Sequence, residues 1–398
     1  MIAAAAAGPG SRNLALVMLG DCMLGRVVDE SLTALPGQLE RVWGDTLPLL
    51  RGGMARPGEG QLVAANLECA VTDEEKKDEK EFNFRLSPAN AAALTNAHLA
   101  FVSLANNHSL DYREAGLAET QRVLHASGIV YAGVGRPAEA AAPALLERAG
   151  LKLAFLSYSD HYDRWAATDD RSGINYIDPE GFSEATLAAQ LAAAREAGAD
   201  LVVVFIHWGP NWRWLPSAAI RRLGRAFIDC GADIVFGHSS HHIQGIEVYR
   251  QRPIVYGAGG FVDDYRLDED FRNDLGFLYC CHISDGIPAE LELVPTRIVH
   301  TGQSSGQPRY LSEVRTATKR DARWLRSRLR ELCRVLGTRV FDGQGERLAI
   351  PLRGSGGSNG AEEERQGGGS TAGGGRGGTG GSGGRAFLAR LLGLNMGP

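Results

Sequence analysis

The sequence predicts an α/β fold, in which strands and helices alternate and pack in layers. Short apolar runs such as 14–19 and 201–206 are typical of buried strands, and segments such as 113–127 and 217–230 have the pattern of helices. Polar segments stand directly after several of the strand-like runs. Because open α/β folds place their chemistry at the carboxyl ends of strands, this order predicts a site built across a sheet edge.

Four strands and two helices are predicted in the first half of the chain. Pro88 suits the first turn of a helix that reaches Ala97, since its missing N–H costs nothing there. Gly128 suits the end of the helix over 113–127. The predicted strands cover 14–19, 61–65, 99–104 and 151–157.

The second half of the chain continues the alternation. Ser183 is predicted to cap an alanine-rich helix that ends near Gly198, and Gly231 stands where the helix over 217–230 needs a C-terminal cap. Residues 322–334 predict a basic amphipathic helix packed on the domain. The predicted strands cover 201–206, 233–236, 254–256, 278–283, 291–294, 339–341 and 348–352.

Four parts of the chain are expected: a flexible N-terminus over 1–12, a main domain over 13–300, a C-terminal helix with short strands over 301–352, and a tail over 353–398. Between residues 354 and 385, 16 of 32 residues are glycine, so this stretch is predicted to be disordered. The apolar tip beyond it is either a docking motif, a weak membrane contact or a frayed end.

Composition also excludes some classes of function. The 398 residues carry a net charge of -5 and no basic stripe, which argues against nucleic acid as a partner. The six cysteines form no C-x-x-C pair, so buried free thiols in a reducing compartment are expected. The N-terminus lacks the basic region of a secretory signal, and no apolar run reaches the roughly 18 residues of a transmembrane segment. The sequence therefore predicts a cytoplasmic protein.

The polar segments together offer carboxylate, amide and imidazole groups, a donor set that suits hard or borderline divalent metals without any thiolate. Taken singly, each group has an ordinary alternative: a helix cap for Asp21, a surface position for Glu68, a turn for Asn107 and a satisfied core position for His207. Their joint occurrence favours a metal site. The segments are Gly20-Asp21, Asn66-Leu67-Glu68, Asn106-Asn107-His108 with Asp111, His207-Trp208-Gly209 and Gly237-His238-Ser239-Ser240-His241.

Two other features have both a structural and a functional interpretation. The charged run over 74–81 is expected to be a solvated loop or helix face. Trp208, Trp212 and Trp214 follow one of the strands closely. They either pack at a loop or form a wall for a polymer or extended substrate.

A family resemblance rests on these same segments. GDCMLGR (20–26), NLECAVT (66–72), FVSLANNHSLDY (101–112), VVVFIHWGPNW (202–212), GHSSHHIQGIEVY (237–249) and PIVYGAGGFVDDY (253–265) resemble bacterial CapA-type proteins of poly-gamma-glutamate capsule synthesis. Those proteins are similar to the calcineurin-like metallophosphoesterase superfamily. The resemblance covers roughly residues 13–300, and 322–352 resemble an extension of some relatives. It implies a sandwich of two mixed β-sheets flanked by helices, with a two-metal centre at one edge.

The resemblance also implies roles for individual residues. His108 would protonate a leaving group while Asp111 holds its ring. The implied metal ligands are Asp21, the bridging Glu68, Asn107, His207 and His241.

The chain departs from the family pattern at several positions. Met23 stands where many metallophosphoesterases have histidine, and Glu68 replaces an aspartate. Ser239-Ser240-His241 replaces the His-Pro-His of many relatives; His238 is a candidate substitute ligand, and His242 is expected to point outward. One or two divalent ions, with Mn, Fe or Zn as candidates, are therefore expected.

Two functions follow from this pattern. The first is a metal-dependent hydrolase acting on a phosphoester or on an acidic amide polymer such as poly-gamma-glutamate. The second is a non-catalytic member of a capsule-synthesis assembly that binds polymer in the same cleft. The absence of histidine at positions 23 and 239 favours the second function. The presence of Asn107, His108 and His207 favours the first.

Truncation after Leu352 is expected to leave the thermal midpoint nearly unchanged, because the Gly-rich tail has little apolar surface to bury. Calorimetry of the full and shortened chains measures the difference. A fall of many degrees would show instead that the tail or its apolar tip docks on the domain.

Overall fold

Two large β-sheets form the centre of the computed structural model, which describes residues 12–301 and 311–353. The Gly-rich tail and its apolar tip, together with almost all of the predicted flexible N-terminus, lie outside these residues. The first ten strands are β1 Leu14–Cys22, β2 Gly60–Leu67, β3 Ala70–Val71, β4 Arg85–Leu86, β5 Leu99–Ser103, β6 Val130–Ala132, β7 Val134–Gly135, β8 Ala144–Arg148, β9 Leu151–Ser159 and β10 Gly173–Ile174. The other ten are β11 Leu201–His207, β12 Ile234–His238, β13 Ile246–Tyr249, β14 Arg252–Val255, β15 Gly260–Val262, β16 Leu275–Ser284, β17 Ile287–Thr301, β18 Leu311–Thr316, β19 Phe341–Asp342 and β20 Leu348–Pro351.

Helices separate many of these strands along the chain. The α-helices are α1 Val27–Ala34, α2 Ala92–Asn96, α3 Arg113–Ala126, α4 Pro137–Ala140, α5 Glu184–Glu196, α6 Ala218–Asp229 and α7 Lys319–Val335. Shorter 3-10 segments cover Leu39–Thr46, Pro88–Asn90 and Asp163–Trp165, and a π-helical turn covers Leu49–Gly53. No helix in the described ranges combines the length and the apolar composition needed to cross a membrane.

Both large sheets are mixed. In the first sheet the antiparallel strands lie on one side of β1 and the parallel strands on the other, out to the edge strand β6. In the second sheet the parallel strands are central and both edge pairs are antiparallel. The first has the order β19-β20-β17-β16-β1-β2-β5-β6, with β15 beside β1 and β18 beside β17. The second has the order β13-β14-β12-β11-β9-β8. Strands β1, β2, β5 and β6 are parallel to one another, as are β9, β11, β12 and β14. Each parallel group therefore ends at one common edge, where the predicted site residues stand.

Aromatic side chains join the inner faces of the two sheets. Phe101 of β5 stacks on Phe155 of β9 with 4.2 Å between ring centroids, and Phe236 of β12 meets Tyr279 of β16 edge-on at 5.2 Å. Apolar residues of α2 and α3 cover the outer face of the first sheet, and those of α5 and α6 cover the second. The fold class, a sandwich of two mixed sheets flanked by helices, is confirmed.

Local sequence signals account for most helix ends. The Ser183 side chain accepts a hydrogen bond from Thr186 N at the start of α5, and Gly231 has a φ of +113° just after α6. The helix predicted from Pro88 to Ala97 is instead split into a 3-10 turn and α2. Asn90, at the junction, donates to Asp29 and Thr33 of α1, so its side chain connects this turn to that helix.

Residues beyond 300 complete the first sheet. Strand β17 runs across residue 300 and pairs with β16, β18 and β20. Helix α7 packs near β13, where Ile246 N donates to Cys333 Sγ at 3.3 Å. All six cysteines are free, as expected, and only Cys230 is not fully buried.

Gly20 allows two backbones to approach closely at the end of β1. Asp21 N donates to Gly259 O at 3.0 Å, which brings the start of β15 against β1. A Cβ atom on Gly20 would stand 2.0 Å from that same carbonyl oxygen. The glycine therefore permits the crossing that presents Asp21 at the sheet edge.

The substitution Gly20→Ala is expected to lower the free energy of unfolding by about 3 kcal/mol, because the added carbon meets backbone that cannot rotate away. Urea unfolding measures the change. Gly181→Ala is the control, since its added carbon would meet only the end of the flexible Asp178 side chain. Equal stability of Gly20→Ala and the wild type would contradict the close approach.

Candidate metal centre

The site lies where the carboxyl ends of the two parallel strand groups come together. Asp21 is near the end of β1, Glu68 follows β2, and the Asn107-His108 turn follows β5. From the second sheet, His207 and His238 are the last residues of β11 and β12. His207 and His238 are paired in register across these two strands, so their rings leave the sheet side by side.

Two groups of possible ligands share Asp21. The ligand atoms of Asp21, His207 and His238 all lie within 4.8 Å of one another. The same holds for those of Asp21, Glu68 and His241. All five residues are buried. Asp21 is thus the carboxylate common to both groups, whereas the family resemblance implies the bridging role for Glu68.

Asp21 is held by a chain of amide side chains. Asn66 Nδ2 donates to Asp21 Oδ1 at 2.8 Å, and Asn106 Nδ2 donates to Asn66 Oδ1 at 3.0 Å. Ser239 N donates to Asp21 Oδ2 at 3.3 Å. The pairing of β1 with β2 and β15 is irregular at Asp21, which turns its side chain towards the edge. Asn66 and Asn106 therefore orient the ligands.

Glu68 has no exposed surface, and neither carboxylate oxygen finds a hydrogen-bond partner in the described ranges. Its Oε1 lies 3.9 Å from His207 Nε2, and its Oε2 lies 3.9 Å from His241 Nδ1. Burial and the charge of Asp21 raise the pKa of Glu68 well above its usual value. A buried carboxylate without hydrogen-bond partners is stabilised by a nearby cation.

The histidines differ in charge in the metal-free protein. Burial lowers the pKa of His238 to about 4 and that of His207 well below its usual value, so both rings are neutral at pH 7. Their Nδ1 atoms lie 2.9 Å apart, so one ring donates to the other. Burial opposes charge on His241, but Glu68 and Asp21 outweigh it and raise its pKa to about 9.

These residues fit a divalent transition metal. Neutral imidazoles and carboxylates are the donors that Mn, Fe and Zn accept, and ligands must be deprotonated to bind. The protonated His241 stands in the metal-free protein beside the two carboxylates that a metal would neutralise. Several buried atoms of the site lack a hydrogen-bond partner among the described residues: Glu68 Oε1 and Oε2, Asn107 Oδ1, His207 Nε2, His238 Nε2 and His241 Nδ1.

His108 and Asp111 form a pair beside these groups. His108 Nδ1 lies 2.7 Å from Asp111 Oδ2, and the ring stacks on Phe84 with 3.9 Å between centroids. Phe84 N also donates to Asp111 Oδ2, at 2.5 Å. Because Nδ1 faces the carboxylate, Nε2 is the nitrogen left for a substrate. Burial lowers the pKa of His108 to about 4, although Asp111 works against this change.

Lys80 completes the pair from a different loop. Its ammonium lies 2.5 Å from Asp111 Oδ1 and 3.2 Å from His108 Nδ1, and it donates to Asn107 O. Its side chain is only 7% exposed. The cation also lies over the Trp165 ring, 4.9 Å from its centroid. Lys80 thus neutralises the carboxylate that orients His108.

The amino-acid sequence matches the family model described as bacterial capsule synthesis protein PGA_cap over residues 15–265. The chain belongs to this family. The predicted resemblance to CapA-type capsule-synthesis proteins is therefore confirmed.

Relatives in the family come from several bacteria. A protein of Mycobacterium tuberculosis named "Probable polyglutamine synthesis accessory protein" is 32% identical over 377 residues, covering 83% of this chain and 94% of the relative. The capsule biosynthesis protein CapA of Bacillus anthracis is 29% identical over 297 residues, covering 72% of this chain and 68% of the relative. The PGA biosynthesis protein CapA of Bacillus subtilis is 29% identical over 256 residues, 63% of each chain.

Among solved structures, the protein TT1561 of Thermus thermophilus superposes with a TM-score of 0.37 at 11% identity, covering 69% of this chain and 99% of that one. The structure of PhoD superposes with a TM-score of 0.32 at 12% identity, covering 76% of this chain and 68% of that one.

Four residues at the site, Lys80, Asp160, His161 and Asp263, are not among the site residues that the sequence predicts. The charged run over 74–81 is a largely exposed loop, but the prediction that the run is solvated is wrong for the buried Lys80 side chain. Nothing in the run distinguishes it, because its partners come from distant segments. Asp160-His161 directly follow β9, so the strand-end rule that found the other segments also applied there. Asp263 lies in a quoted motif; its Oδ2 is buried without a partner in the part of the chain described.

The prediction that His242 points outward is wrong. Its side chain is fully buried, and its ring stacks on Trp212 with centroids 6.0 Å apart and packs on Phe271 at 4.4 Å. The left-handed backbone of His241, with a φ of +59°, sends the two neighbouring rings in different directions. Trp212 remains 39% exposed beside the site.

The other two tryptophans pack as ordinary loop residues. Trp208 is buried and donates to Tyr256 O at 2.7 Å. Trp214 stacks on Phe271 with 4.7 Å between centroids. Of the three tryptophans, Trp212 alone is left as a candidate wall for an extended substrate.

Lys80→Met is expected to lower the free energy of unfolding by about 3 kcal/mol, because it leaves the buried Asp111 carboxylate without its cation. It should also raise the pKa of His108 above about 4, since Lys80 opposes protonation of that ring. Urea unfolding and an NMR titration of the metal-free protein measure both effects. Lys76→Met, at an exposed position of the same loop, is the control. Unchanged stability and an unchanged His108 pKa would contradict this role.

Proposed function

We propose that this chain is a metal-dependent hydrolase that acts in the synthesis of an acidic capsule polymer of the poly-gamma-glutamate type. Its substrate would be a phosphoester or the amide polymer itself, and its centre would hold one or two ions of Mn, Fe or Zn. A capsule-synthesis assembly is the proposed partner, and the cytoplasm the proposed location. Membership of the capsule-synthesis family supports the biological setting.

One observation carries the proposed activity. Two buried carboxylates, Asp21 and Glu68, converge with three buried imidazoles at the meeting of two sheet edges. A purely structural cluster would be expected to satisfy its own polar groups. Here both Glu68 oxygens and one nitrogen of each imidazole have no hydrogen-bond partner within the described ranges.

Different residues of the site would bind the metal and orient its ligands. A bound divalent ion would lower the pKa of its water to roughly 7 and polarise the substrate oxygen. Asp21, Glu68, Asn107, His207, His238 and His241 are the proposed ligands. Asn66, Asn106 and Ser239 fix the direction of Asp21. Burial of the two carboxylates and the three histidines keeps bulk water away from them, which strengthens each electrostatic contact.

His108 is the proposed general acid, oriented by Asp111. At pH 7 the ring is neutral in the metal-free protein, because its pKa is about 4. Acid catalysis therefore needs a bound anion against Nε2, since a nearby negative charge favours the protonated ring. A phosphoester or a glutamyl carboxylate would supply such a charge. This requirement links binding of the correct substrate to charging of the acid.

The alternative, a polymer-binding member of an assembly, draws its support from Met23 and Ser239. Met23 is buried in the core, and its Sδ accepts from Gly25 N at 3.2 Å, so it serves packing. The loss of imidazole at position 239 weighs less, because His161 lies beside Ser239. The hydrolase remains the stronger proposal.

His207→Ala is expected to lose bound metal, whereas His108→Ala should keep metal near the wild-type level and lose hydrolysis by about 10²- to 10⁴-fold. The reason is that His207 points its free Nε2 at Glu68, while His108 belongs to neither ligand group. Elemental analysis measures the metal. Hydrolysis is followed with an aryl phosphate and with poly-gamma-glutamate.

His125→Ala serves as the matched control, because His125 is an exposed histidine in the last turn of α3. Loss of metal from His108→Ala equal to that from His207→Ala would show that His108 is a ligand. A wild type that binds metal and polymer but hydrolyses neither substrate would favour the binding role.

A further inference from the structure

His161 stands beside the metal centre, although it belongs to neither ligand group. Its ring centroid lies 4.9 Å from that of His207, which in turn lies 5.0 Å from that of His238. His161 Nε2 is 3.4 Å from Ser239 Oγ. Three imidazoles therefore stand in a row along the ends of β9, β11 and β12.

Asp160 lies within ion-pair distance of one nitrogen of this ring. Asp160 Oδ1 lies 2.5 Å from His161 Nδ1, and Asp160 Oδ2 accepts from Gly209 N at 2.9 Å. Asp160 N donates to His207 O at 3.1 Å. The carboxylate thus faces Nδ1, and its other oxygen is bonded just beyond the end of β11. A histidine whose second nitrogen faces a carboxylate in this way is the usual form of a metal-binding imidazole.

Ser239 leaves room for this ring. Its N–H is used on Asp21, and its short side chain reaches only Gly209 O and His161 Nε2. A larger side chain at position 239 would occupy the space that His161 Nε2 now faces. The backbone of Ser239 has a φ of +106°, in the left-handed region.

We propose that His161 is an additional metal ligand, which binds through Nε2 on the His207 side of the centre. The inference rests on the proposed function, because it requires that the centre holds a divalent metal. A further imidazole makes this subsite richer in nitrogen than the Asp21–Glu68–His241 group. It should therefore select Zn or another late transition ion over Mg and Ca, which prefer oxygen ligands.

The rival role for His161 is a hydrogen bond to substrate without any contact to metal. Its side chain is 24% exposed, so a substrate could reach it. The two roles differ in the absence of substrate, where only a ligand changes the metal. The experiment therefore uses the metal alone.

The test compares Zn²⁺ titrations of the full-length wild type, His161→Ala and His161→Gln by calorimetry. We expect one binding step to weaken by at least about 10-fold in both variants, and by a similar order in Asp160→Asn, which frees the ring. Spectra of the Co²⁺-loaded proteins should change as one nitrogen ligand is lost. His125→Ala should match the wild type in every measurement.

A second imidazole position provides a rescue. Ser239→His combined with His161→Ala should restore the lost binding step, because the new ring enters the space vacated by His161. Thermal unfolding of each variant checks that it folds, and His161→Gln replaces the alanine variant if that one does not.

The outcomes separate the two proposals. A wild type that binds Zn²⁺ while both His161 variants keep its stoichiometry, affinity and Co²⁺ spectrum would overturn the ligand role alone. A wild type that binds neither ion would overturn the metal-dependent function together with this inference. Weakened binding in the variants, reversed by Ser239→His, supports it.

Discussion

Asp21 and Glu68 are carboxylates with no exposed surface, and removal of such groups from water costs several kcal/mol each. Hydrogen bonds and charges in the surrounding structure offset that cost only in part. Asp21 accepts hydrogen bonds from Asn66 and Ser239 and lies near His241. Glu68 accepts no hydrogen bond from the residues described. The balance of negative charge is left to a cation, and in the metal-free protein the protonated His241 serves as a partial one. The metal-binding chemistry of the site follows from this uncompensated negative charge.

The sandwich fold concentrates this negative charge because it brings two sheet edges together. Each sheet contributes strand ends that are fixed by neighbouring strands on both sides, so the ligands stand on rigid supports. The connecting loop after β12 is less regular, and Ser239 and His241 both have positive φ values. Non-glycine residues in that region carry strain, which is common at functional sites. The strained backbone of this loop places the single imidazole of His241 near both carboxylates.

The strand ends were predictable because they obey a local rule. An apolar run followed by Asp21, Asn107 or His207 can be recognised without knowledge of the fold, and parallel pairing then brings such ends to a common edge. Lys80 obeys no local rule: it looks like its charged neighbours, and its burial depends on Asp111 and on rings from another loop. The orientation of His242 was mispredicted for a related reason, since the left-handed backbone of His241 is invisible in the sequence pattern. The same rule also identifies His161, which follows the apolar strand β9.

The matched family region ends at residue 265, but the first sheet does not end there. Strand β16 begins at Leu275 and runs antiparallel along β1 from Leu14 to Met18. A fragment cut at the family limit would leave the apolar strand that carries Asp21 with a long unpaired edge. Such edges recruit strands from other molecules. Expression of the family region alone would therefore favour aggregation, and evolutionary shuffling of this domain must carry its C-terminal strands along.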